Sequence, residues 1–177
     1  MALSVRWECS KLRAMDMNIS QIEIGRAQVE EADSAFALVE EYFAAIGVVM
    51  RENRQQFVTE YFGEGRGLWL ARSAGELAGC VGLRKLQCPE NNETSTTKCA
   101  EIKRMYVREA FRGRSVAQNL LAAVENFARN SGYDRIYLDT TQEMKAAARL
   151  YQRNGFVRCE RYNQNPQAAI FMRKDLK

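Results

Sequence analysis

The sequence predicts an α/β domain in which a single twisted sheet is flanked by helices. A β-branched and aromatic segment, residues 100–107, ends at a basic turn. Apolar residues then recur at helical spacing from Val116 to Ala128. After a compact strand at residues 135–140, a short helix ends at Gly155 and leads directly into an aromatic strand start. This order predicts a parallel strand pair, Met105–Val107 with Arg135–Asp139, joined by a crossover helix.

The part of the chain before residue 100 contributes further strands and two helices. Residues 21–24 alternate between polar and apolar side chains and predict the first strand. An apolar stripe predicts a helix from residue 32 that ends at Gly47, and a second helix runs from about residue 52 to residue 62. The remaining predicted elements are strands at residues 68–72 and 77–86, the crossover helix at 115–130 and a final strand at 169–172.

Length and composition indicate one soluble domain. A chain of 177 residues can bury a sizeable core but is short for two domains. Residues 1–19 show no clear period and predict an N-terminal extension, so residues 20–177 form the predicted domain. Residues 88–97 are polar and predict an exposed loop. The sequence shows neither an apolar run of signal-peptide length nor a membrane-spanning stretch, and we expect a cytoplasmic protein without membrane contact.

The cysteine and histidine content excludes several kinds of site. The five cysteines lack C-x-x-C spacing, their number is odd, and no histidine is present to complete a zinc site. We therefore expect no metal, and reduced, mostly structural thiols that suit a cytosolic protein. The absence of histidine also excludes Ser/His/Asp and Cys/His nucleophiles within this chain. The sequon Asn92-Glu93-Thr94 has no other sign of secretion beside it.

The turn Arg112-Gly113-Arg114-Ser115 opens the crossover helix and predicts an anion site. The first N–H groups of a helix lack internal partners, and the helix dipole adds positive potential there. Arginine matches phosphate oxygens with its planar fork. The alternative is an ordinary strand-to-helix turn with solvated arginines. The net charge is only +4, and several basic residues lie near this turn, which favours an anionic cofactor over a nucleic-acid duplex. These residues are Lys103, Arg104, Arg108, Arg112 and Arg114.

Three motifs in this order resemble those of the GNAT superfamily of acyl-CoA-dependent N-acetyltransferases. Met105-Tyr106-Val107 matches the strand before the pyrophosphate turn of that family. The turn itself matches at Arg112–Ala117, with Ser115 replacing the middle glycine. The third motif, Ala-x-x-Leu-Tyr-x-x-x-Gly-Phe, matches at Ala147–Phe156, with Met144 where an asparagine often precedes it. The resemblance runs from about Ile22 to Leu176, nearly the whole chain.

The resemblance implies a GNAT fold with a mixed, mostly antiparallel sheet, and acetyl-CoA as cosubstrate. It implies an acyltransferase that moves the acetyl group to a primary amine of a small-molecule or amino-acid-like acceptor, by direct attack in a ternary complex. A protein or peptide amine acetyltransferase and a non-catalytic acyl-CoA-binding regulatory module are the alternatives. Homodimers are common in the family, and no nucleic-acid partner is expected. The implied cofactor-binding residues are Met105, Tyr106, Val107, Arg112, Gly113, Arg114, Ser115, Val116 and Ala117.

Two side chains carry the catalytic hypothesis that the resemblance implies. Tyr151 matches the tyrosine that many family members use to protonate the departing thiolate, and its alternative role is a buried aromatic. Glu101 matches the general base of histone-acetylating members, and its alternative role is an ion pair with Lys103 or Arg104. Strand alternation places Lys103 on the side of Glu101 and Arg104 opposite, unless a bulge intervenes.

The residue Ser115 has two further interpretations. Ser115-Val116-Ala117-Gln118 has the spacing of a capping box, so the serine hydroxyl is expected to cap the helix or to bind a phosphate oxygen. By contrast, the run Gly63-Glu64-Gly65-Arg66-Gly67 leads into a strand instead of a helix, so it lacks the helix amides that a phosphate loop needs.

Overall fold

The computed structural model describes residues 21–89 and 96–177, which form a seven-stranded mixed sheet flanked by four helices. The predicted α/β architecture is therefore confirmed. The N-terminal extension, the sequon and most of the predicted 88–97 loop lie outside the described residues. The elements in chain order are β1 Ile22–Arg26, α1 Ala32–Ala45, α2 Arg54–Tyr61, β2 Gly67–Ser73, β3 Glu76–Leu86, β4 Cys99–Val107, α3 Val116–Asn130, β5 Arg135–Thr140, α4 Lys145–Arg153, β6 Val157–Arg158 and β7 Ile170–Asp175.

The sheet is antiparallel except at one strand pair. Its spatial order is β1-β2-β3-β4-β5-β7-β6, and only β4 and β5 run parallel, joined by α3 as the crossover helix. Their pairing runs from Cys99 opposite Arg135 to Ile102 opposite Leu138. The predicted parallel pairing of these two strands through a crossover helix is confirmed, but it lies earlier on β4 than Met105–Val107. Tyr106 and Val107 pair with β3, and past Ile102 the strands β4 and β5 have separated.

Local sequence signals account for several helix ends. Asn53 caps α2 by accepting a hydrogen bond from the Gln56 backbone N–H at 2.9 Å, and the Gln56 side chain accepts one from the Asn53 N–H at 2.9 Å. Gly47 follows α1 and Gly155 follows α4, both with positive φ, as the predicted helix ends require. The run at residues 63–67 leads into β2, as predicted.

Two apolar layers cover opposite faces of the sheet. On one face, Leu120, Leu121 and Val124 of α3 are fully buried in the larger cluster. On the other, Phe57 and Tyr61 of α2 pack with Leu38 of α1. A Cβ at Gly82 would lie 2.4 Å from the Tyr61 ring, so glycine there lets α2 approach β3 closely. The close packing of α2 on β3 therefore fixes the positions of α1 and α2 on this face of the sheet.

The cysteines differ from the expectation of reduced thiols. Cys88 and Cys99 form a disulfide with their Cα atoms 5.2 Å apart, while Cys80 is a buried free thiol. The reason is the β3–β4 register, which places Leu86 opposite Cys99 and so carries Cys88 within bonding reach. Within the residues that the structure describes, no helix is both long and apolar enough to cross a bilayer.

Candidate active site

The strands β4 and β5 separate beyond their last paired residues and open a gap in the sheet. Past Ile102 and Leu138, residues 103–107 of β4 keep β3 as a partner, but their other edge has no strand beside it among the described residues. The predicted cofactor residues Met105, Tyr106 and Val107 lie on this stretch. An unpaired edge offers backbone N–H and C=O groups to an extended ligand. The gap can therefore accept the arm of a long, amide-containing molecule.

A β-bulge at Arg104 brings two consecutive side chains to the same cavity. Arg104 has φ 58°, and the β3–β4 register shifts between Cys80 and Gly82. Lys103 lies on the side of Glu101, as alternation predicted. Because the bulge breaks the alternation, Arg104 lines the same cavity as Lys103 instead of facing away. The Arg104 guanidinium lies 4.6 Å above the Phe43 ring.

The turn before α3 presents a set of unpaired amides. Gly113 and Ser115 adopt left-handed conformations, with φ 76° and 59°. In the described part of the chain, the backbone N–H groups of residues 113–118 have no hydrogen-bond acceptor. Concave runs of such amides at a helix start bind anions. The turn thus offers the unpaired backbone amides of Gly113, Ser115, Val116 and Ala117 beside the exposed guanidinium groups of Arg112 and Arg114, while the Val116 side chain is buried.

The capping box predicted at Ser115 does not form. The Ser115 side chain makes no capping hydrogen bond, because a left-handed residue does not direct its side chain as the extended N-cap conformation does. Gln118 instead pairs with Asn154 of the residues following α4, through hydrogen bonds of 2.7 Å and 3.1 Å. The serine hydroxyl is therefore not used as a helix cap and stays available to bind a ligand at the turn.

The basic residues near the turn do not act as one group. Lys103, Arg104 and Arg108 are neutralised by ion pairs within 3.0 Å, to Asp139, Glu52 and Glu41 respectively. Arg112 and Arg114 stay exposed. Arg112 Nε donates to the carbonyl oxygen of Val107 at 3.2 Å, which holds this guanidinium between the turn and the end of β4. Of these five basic residues, Arg112 and Arg114 are thus the two without a carboxylate partner among the described residues.

A cavity of about 840 Å³ lies beside the gap, on the α1 and α2 side. Its walls come from the end of α1, the connection to α2, the bulge of β4, the end of β5 and the segment at residues 163–167. Its size is that of a small-molecule site. Both ionic and apolar side chains line it, including Phe43, Ile46, Val49, Met144, Arg84 and Asp139.

Glu101 lies behind this cavity in a dense ionic network. It is fully buried, accepts hydrogen bonds from Arg84 Nε at 2.7 Å and Tyr162 hydroxyl at 2.8 Å, and lies 3.0 Å from Lys103 Nζ. The Lys103 ion pair is the one that the sequence offered as an alternative, whereas Arg104 pairs elsewhere. Glu101 thus reaches the cavity through its partners and does not itself line it.

Sequence reasoning missed Asp139 and Asn163. Asp139 ends β5, lines the cavity and accepts from Lys103 Nζ at 2.8 Å and from Asn163 Nδ2 at 2.6 Å. Burial raises the pKa of Asp139, but the Lys103 charge and the amide hydrogen bonds outweigh burial and hold that pKa below its usual value. Its place at the carboxyl end of a parallel strand was the available signal. Asn163 lies in an irregular segment that carries no such signal.

Tyr151 lies on α4 and is not among the residues that line the cavity. The side chain is 4% exposed, and its ring packs on Phe156 with centroids 5.6 Å apart. Burial raises the pKa of the Tyr151 hydroxyl, and the charges of Tyr42 and Asp139 raise it further. The hydroxyl therefore stays protonated at neutral pH. Among the described residues, the Tyr151 hydroxyl has no hydrogen-bond partner.

In the same described part of the chain, no group of three or more His, Cys, Asp or Glu side chains could hold a metal ion.

Comparisons with known proteins agree with this geometry. The acetyltransferase (GNAT) family model matches residues 32–156. An uncharacterised N-acetyltransferase of Schizosaccharomyces pombe is 28% identical over 168 residues, which cover 90% of this chain and 98% of the yeast protein. Human N-acetyltransferase 8B is 30% identical over 112 residues, 63% of this chain and 48% of its own, so the match spans about half of the human protein.

Solved structures share the fold. A GNAT-family acetyltransferase from Staphylococcus aureus superposes with a TM-score of 0.74 at 20% identity, covering 89% of this chain and 100% of its own. PaiA N-acetyltransferase from Thermoplasma acidophilum, solved in complex with coenzyme A, superposes with a TM-score of 0.63 at 15% identity and covers 88% and 99%. At these identities the likeness concerns the fold alone.

Proposed function

This chain belongs to the GNAT family of acetyltransferases and is an acyltransferase, and we propose that it moves an acetyl group from acetyl-CoA to a primary amine of a small acceptor. The observation that carries the proposal is the adjacency of three features: the unpaired amides of residues 113–118, the gap between β4 and β5, and the 840 Å³ cavity. They suit, in turn, a pyrophosphate, an amide-containing arm and an amine.

The turn fits the pyrophosphate of acetyl-CoA. Its free N–H groups and the exposed guanidinium groups of Arg112 and Arg114 offer donors without any competing carboxylate partner in the described chain. Ser115 adds a hydroxyl where a glycine would leave only backbone. In this proposal the unpaired edge of Met105–Val107 offers backbone partners to the extended arm, and the thioester lies near Tyr151.

The reaction is one displacement at the thioester carbonyl. The neutral amine nitrogen attacks the carbonyl carbon, the C–S bond breaks, and the nitrogen loses one proton while the sulfur gains one. A lysine-like amine with a pKa of about 10.4 is neutral in only about one molecule in 2,500 at pH 7, so the site must take up its proton. Backbone N–H groups of Met105–Val107 are the proposed donors to the oxyanion.

Two groups are proposed to move these protons. Tyr151 gives its hydroxyl proton to the departing sulfur, because burial keeps that hydroxyl protonated until charge develops beside it. Glu101 takes up the amine proton as part of a coupled unit with Asp139, through Lys103, which contacts both carboxylates. The tyrosine then recovers its proton from this unit. An acceptor that arrives as an ammonium gives up two protons in all, of which the thiol keeps one, so each turnover releases one proton to solvent.

An amine-library screen tests the proposal. Acetyl-CoA is supplied with each amine, and free thiol is detected together with the acetylated product. We expect thiol release that depends on both the protein and one class of amine. Thermal unfolding in millimolar CoA provides the parallel binding test, because a ligand that binds only the native state raises the unfolding temperature. Absence of both thiol release and thermal shift would refute the proposal.

A further inference from the structure

Tyr42 carries a hydroxyl group that the described chain leaves without a partner. The side chain lies near the end of α1, is half-buried and lines the cavity. No group in the described part of the chain makes a hydrogen bond with its oxygen. By contrast, the hydroxyls of Tyr106, Tyr133 and Tyr162 each donate to an acceptor within the protein. The Tyr42 hydroxyl is therefore available to a ligand in the cavity, with one proton to donate and lone pairs that accept.

The ring of Tyr42 is held beside the gap between β4 and β5. It packs on the ring of Tyr106, with centroids 5.7 Å apart, and Tyr106 belongs to the stretch of β4 that no longer pairs with β5. Tyr106 is itself fixed, because its hydroxyl donates to Glu41 at 2.9 Å. Burial raises the pKa of Tyr42, Arg104 lowers that pKa and Asp139 raises it, so the hydroxyl lies within electrostatic reach of two charged groups that line the cavity. The hydroxyl therefore faces the cavity at its border with the gap.

Tyr42 and Tyr151 belong to opposite faces of the sheet but interact. Tyr151 packs in the apolar layer of α3, whereas α1 packs in the layer on the other face. Tyr42 nevertheless raises the pKa of Tyr151, so the two hydroxyls interact electrostatically. Past Ile102 and Leu138 the strands β4 and β5 are no longer paired, and side chains from opposite faces can approach each other there. A group bound in the gap would thus have one tyrosine hydroxyl on each side.

From this placement we infer that Tyr42 is a catalytic residue that contacts the acceptor: its hydroxyl oxygen accepts a hydrogen bond from the amine nitrogen and holds that nitrogen toward the thioester. The inference rests on the proposed function and deepens it, because it assigns the group that orients the attacking atom. The nitrogen lone pair must stay free for the carbonyl carbon, so the amine offers the protein only its N–H groups. As the nitrogen attacks, it gains positive charge and its N–H donates more strongly, so this hydrogen bond is stronger in the transition state than in the ground state. Tyr42 thus acts on the nitrogen and Tyr151 on the sulfur.

The variant Tyr42→Phe tests the inference, since phenylalanine keeps the ring and removes only the hydroxyl. The substrate is the best acceptor from the amine-library screen, and initial rates are measured at saturating acetyl-CoA over a range of amine concentrations. We expect kcat/KM for the amine to fall about tenfold to hundredfold, the range of one hydrogen bond to a charged group. CoA affinity by calorimetry and the unfolding temperature should stay at their wild-type values, because the ring still packs on Tyr106.

Two further variants make the result specific to the hydroxyl of Tyr42. Tyr133→Phe removes a hydroxyl that donates to the Gly65 carbonyl away from the cavity, and it should leave kcat/KM unchanged. Tyr42→Leu removes the ring as well and separates packing from hydrogen bonding. Absence of thiol release by the wild type with every amine would refute the proposed function, and the inference with it. With an active wild type, the inference alone is overturned if Tyr42→Phe has the wild-type kcat/KM, if the loss occurs only in Tyr42→Leu, or if Tyr42→Phe lowers CoA affinity as much as it lowers kcat/KM.

Discussion

Glu101 and Asp139, on neighbouring parallel strands, are joined by one ammonium group at the point where the strands part. Lys103 Nζ lies 3.0 Å from Oε1 of Glu101 and 2.8 Å from Oδ2 of Asp139, one position beyond the last backbone pair, Ile102 with Leu138. Asn163 Nδ2 contacts the same two carboxylates at 3.1 Å and 2.6 Å. Beyond the last backbone pair, hydrogen bonds and ion pairs between side chains therefore connect β4 to β5, and they fix the positions of Lys103 and Asp139 in the wall of the cavity.

The variant Asp139→Asn should lower the free energy of unfolding by about 3 kcal/mol at neutral pH, since it removes one partner of a buried ion pair. The pKa of Asp139 lies below its ordinary value of 3.8, so ionised Asp139 favours folding. Its contribution is complete above about pH 4 and is lost as the pH falls through the lower folded-state pKa.

Urea unfolding of both proteins between pH 2 and pH 7 measures this effect. The difference between the wild type and Asp139→Asn should shrink on acidification. Asp175→Asn, which removes a more exposed partner of Arg135, is the control and should cost at most about 1 kcal/mol. A difference that stays constant with pH would contradict the ionic role of Asp139.

The variant Glu101→Gln should lower kcat/KM by about 10²-fold or more below the pKa of the acceptor amine, with recovery at alkaline pH, where the amine deprotonates unaided. The pH–rate profile is the measurement. Glu125→Gln breaks another, partly buried ion pair, to Lys174 at 2.6 Å, away from the cavity, and should leave the profile unchanged. If Glu101→Gln left the pH–rate profile unchanged, Glu101 would not act as the base and would only form ion pairs.

The variant Tyr151→Phe should lower kcat by about 10²-fold or more and leave CoA affinity nearly intact, because the hydroxyl acts only as charge develops on sulfur. Single-turnover thiol release and CoA binding on the same preparation separate these quantities. Tyr133→Phe also removes a buried hydroxyl, one that donates to the Gly65 carbonyl, and should affect stability alone. Normal single-turnover chemistry in Tyr151→Phe would remove Tyr151 from the mechanism.

The variant Ser115→Gly should hold or tighten CoA binding and raise the free energy of unfolding by up to about 1 kcal/mol. Ser115 has φ 59° and no capping hydrogen bond, so glycine relieves an unfavourable conformation without losing a cap. Calorimetry with CoA and thermal unfolding of the apo protein measure the two effects. Loss of binding would show that the hydroxyl is an essential phosphate ligand.

The variant Arg112→Ala should weaken CoA binding by about 1.5–3 kcal/mol, the contribution of a hydrogen bond to a charged group. Arg112 is exposed, and its only hydrogen bond in the described chain, to the Val107 carbonyl, contributes little to the fold. The decrease of the CoA-induced thermal shift is the measurement, with Arg158→Ala as the control. A shift equal to that of the wild type would place the pyrophosphate elsewhere.

Much of the fold could be predicted from the sequence because its signals are local. The apolar period of α3, the glycine after α4 and the β-branched run of β4 each depend on residues adjacent in the chain. The turn at Arg112–Ala117 was likewise marked by its local sequence, whereas Tyr151 was singled out only by the resemblance to the GNAT motifs.

Only the tertiary structure decided how these elements meet. The bulge at Arg104, the left-handed Ser115 and the Cys88–Cys99 bond all follow from pairing register and chain path, which no local pattern records. The bridge from Lys103 to Asp139 joins residues 36 positions apart in the chain. Charge partners so distant are chosen by the packing of two strands, so the sequence determined which groups were available and the fold determined which of them form the site.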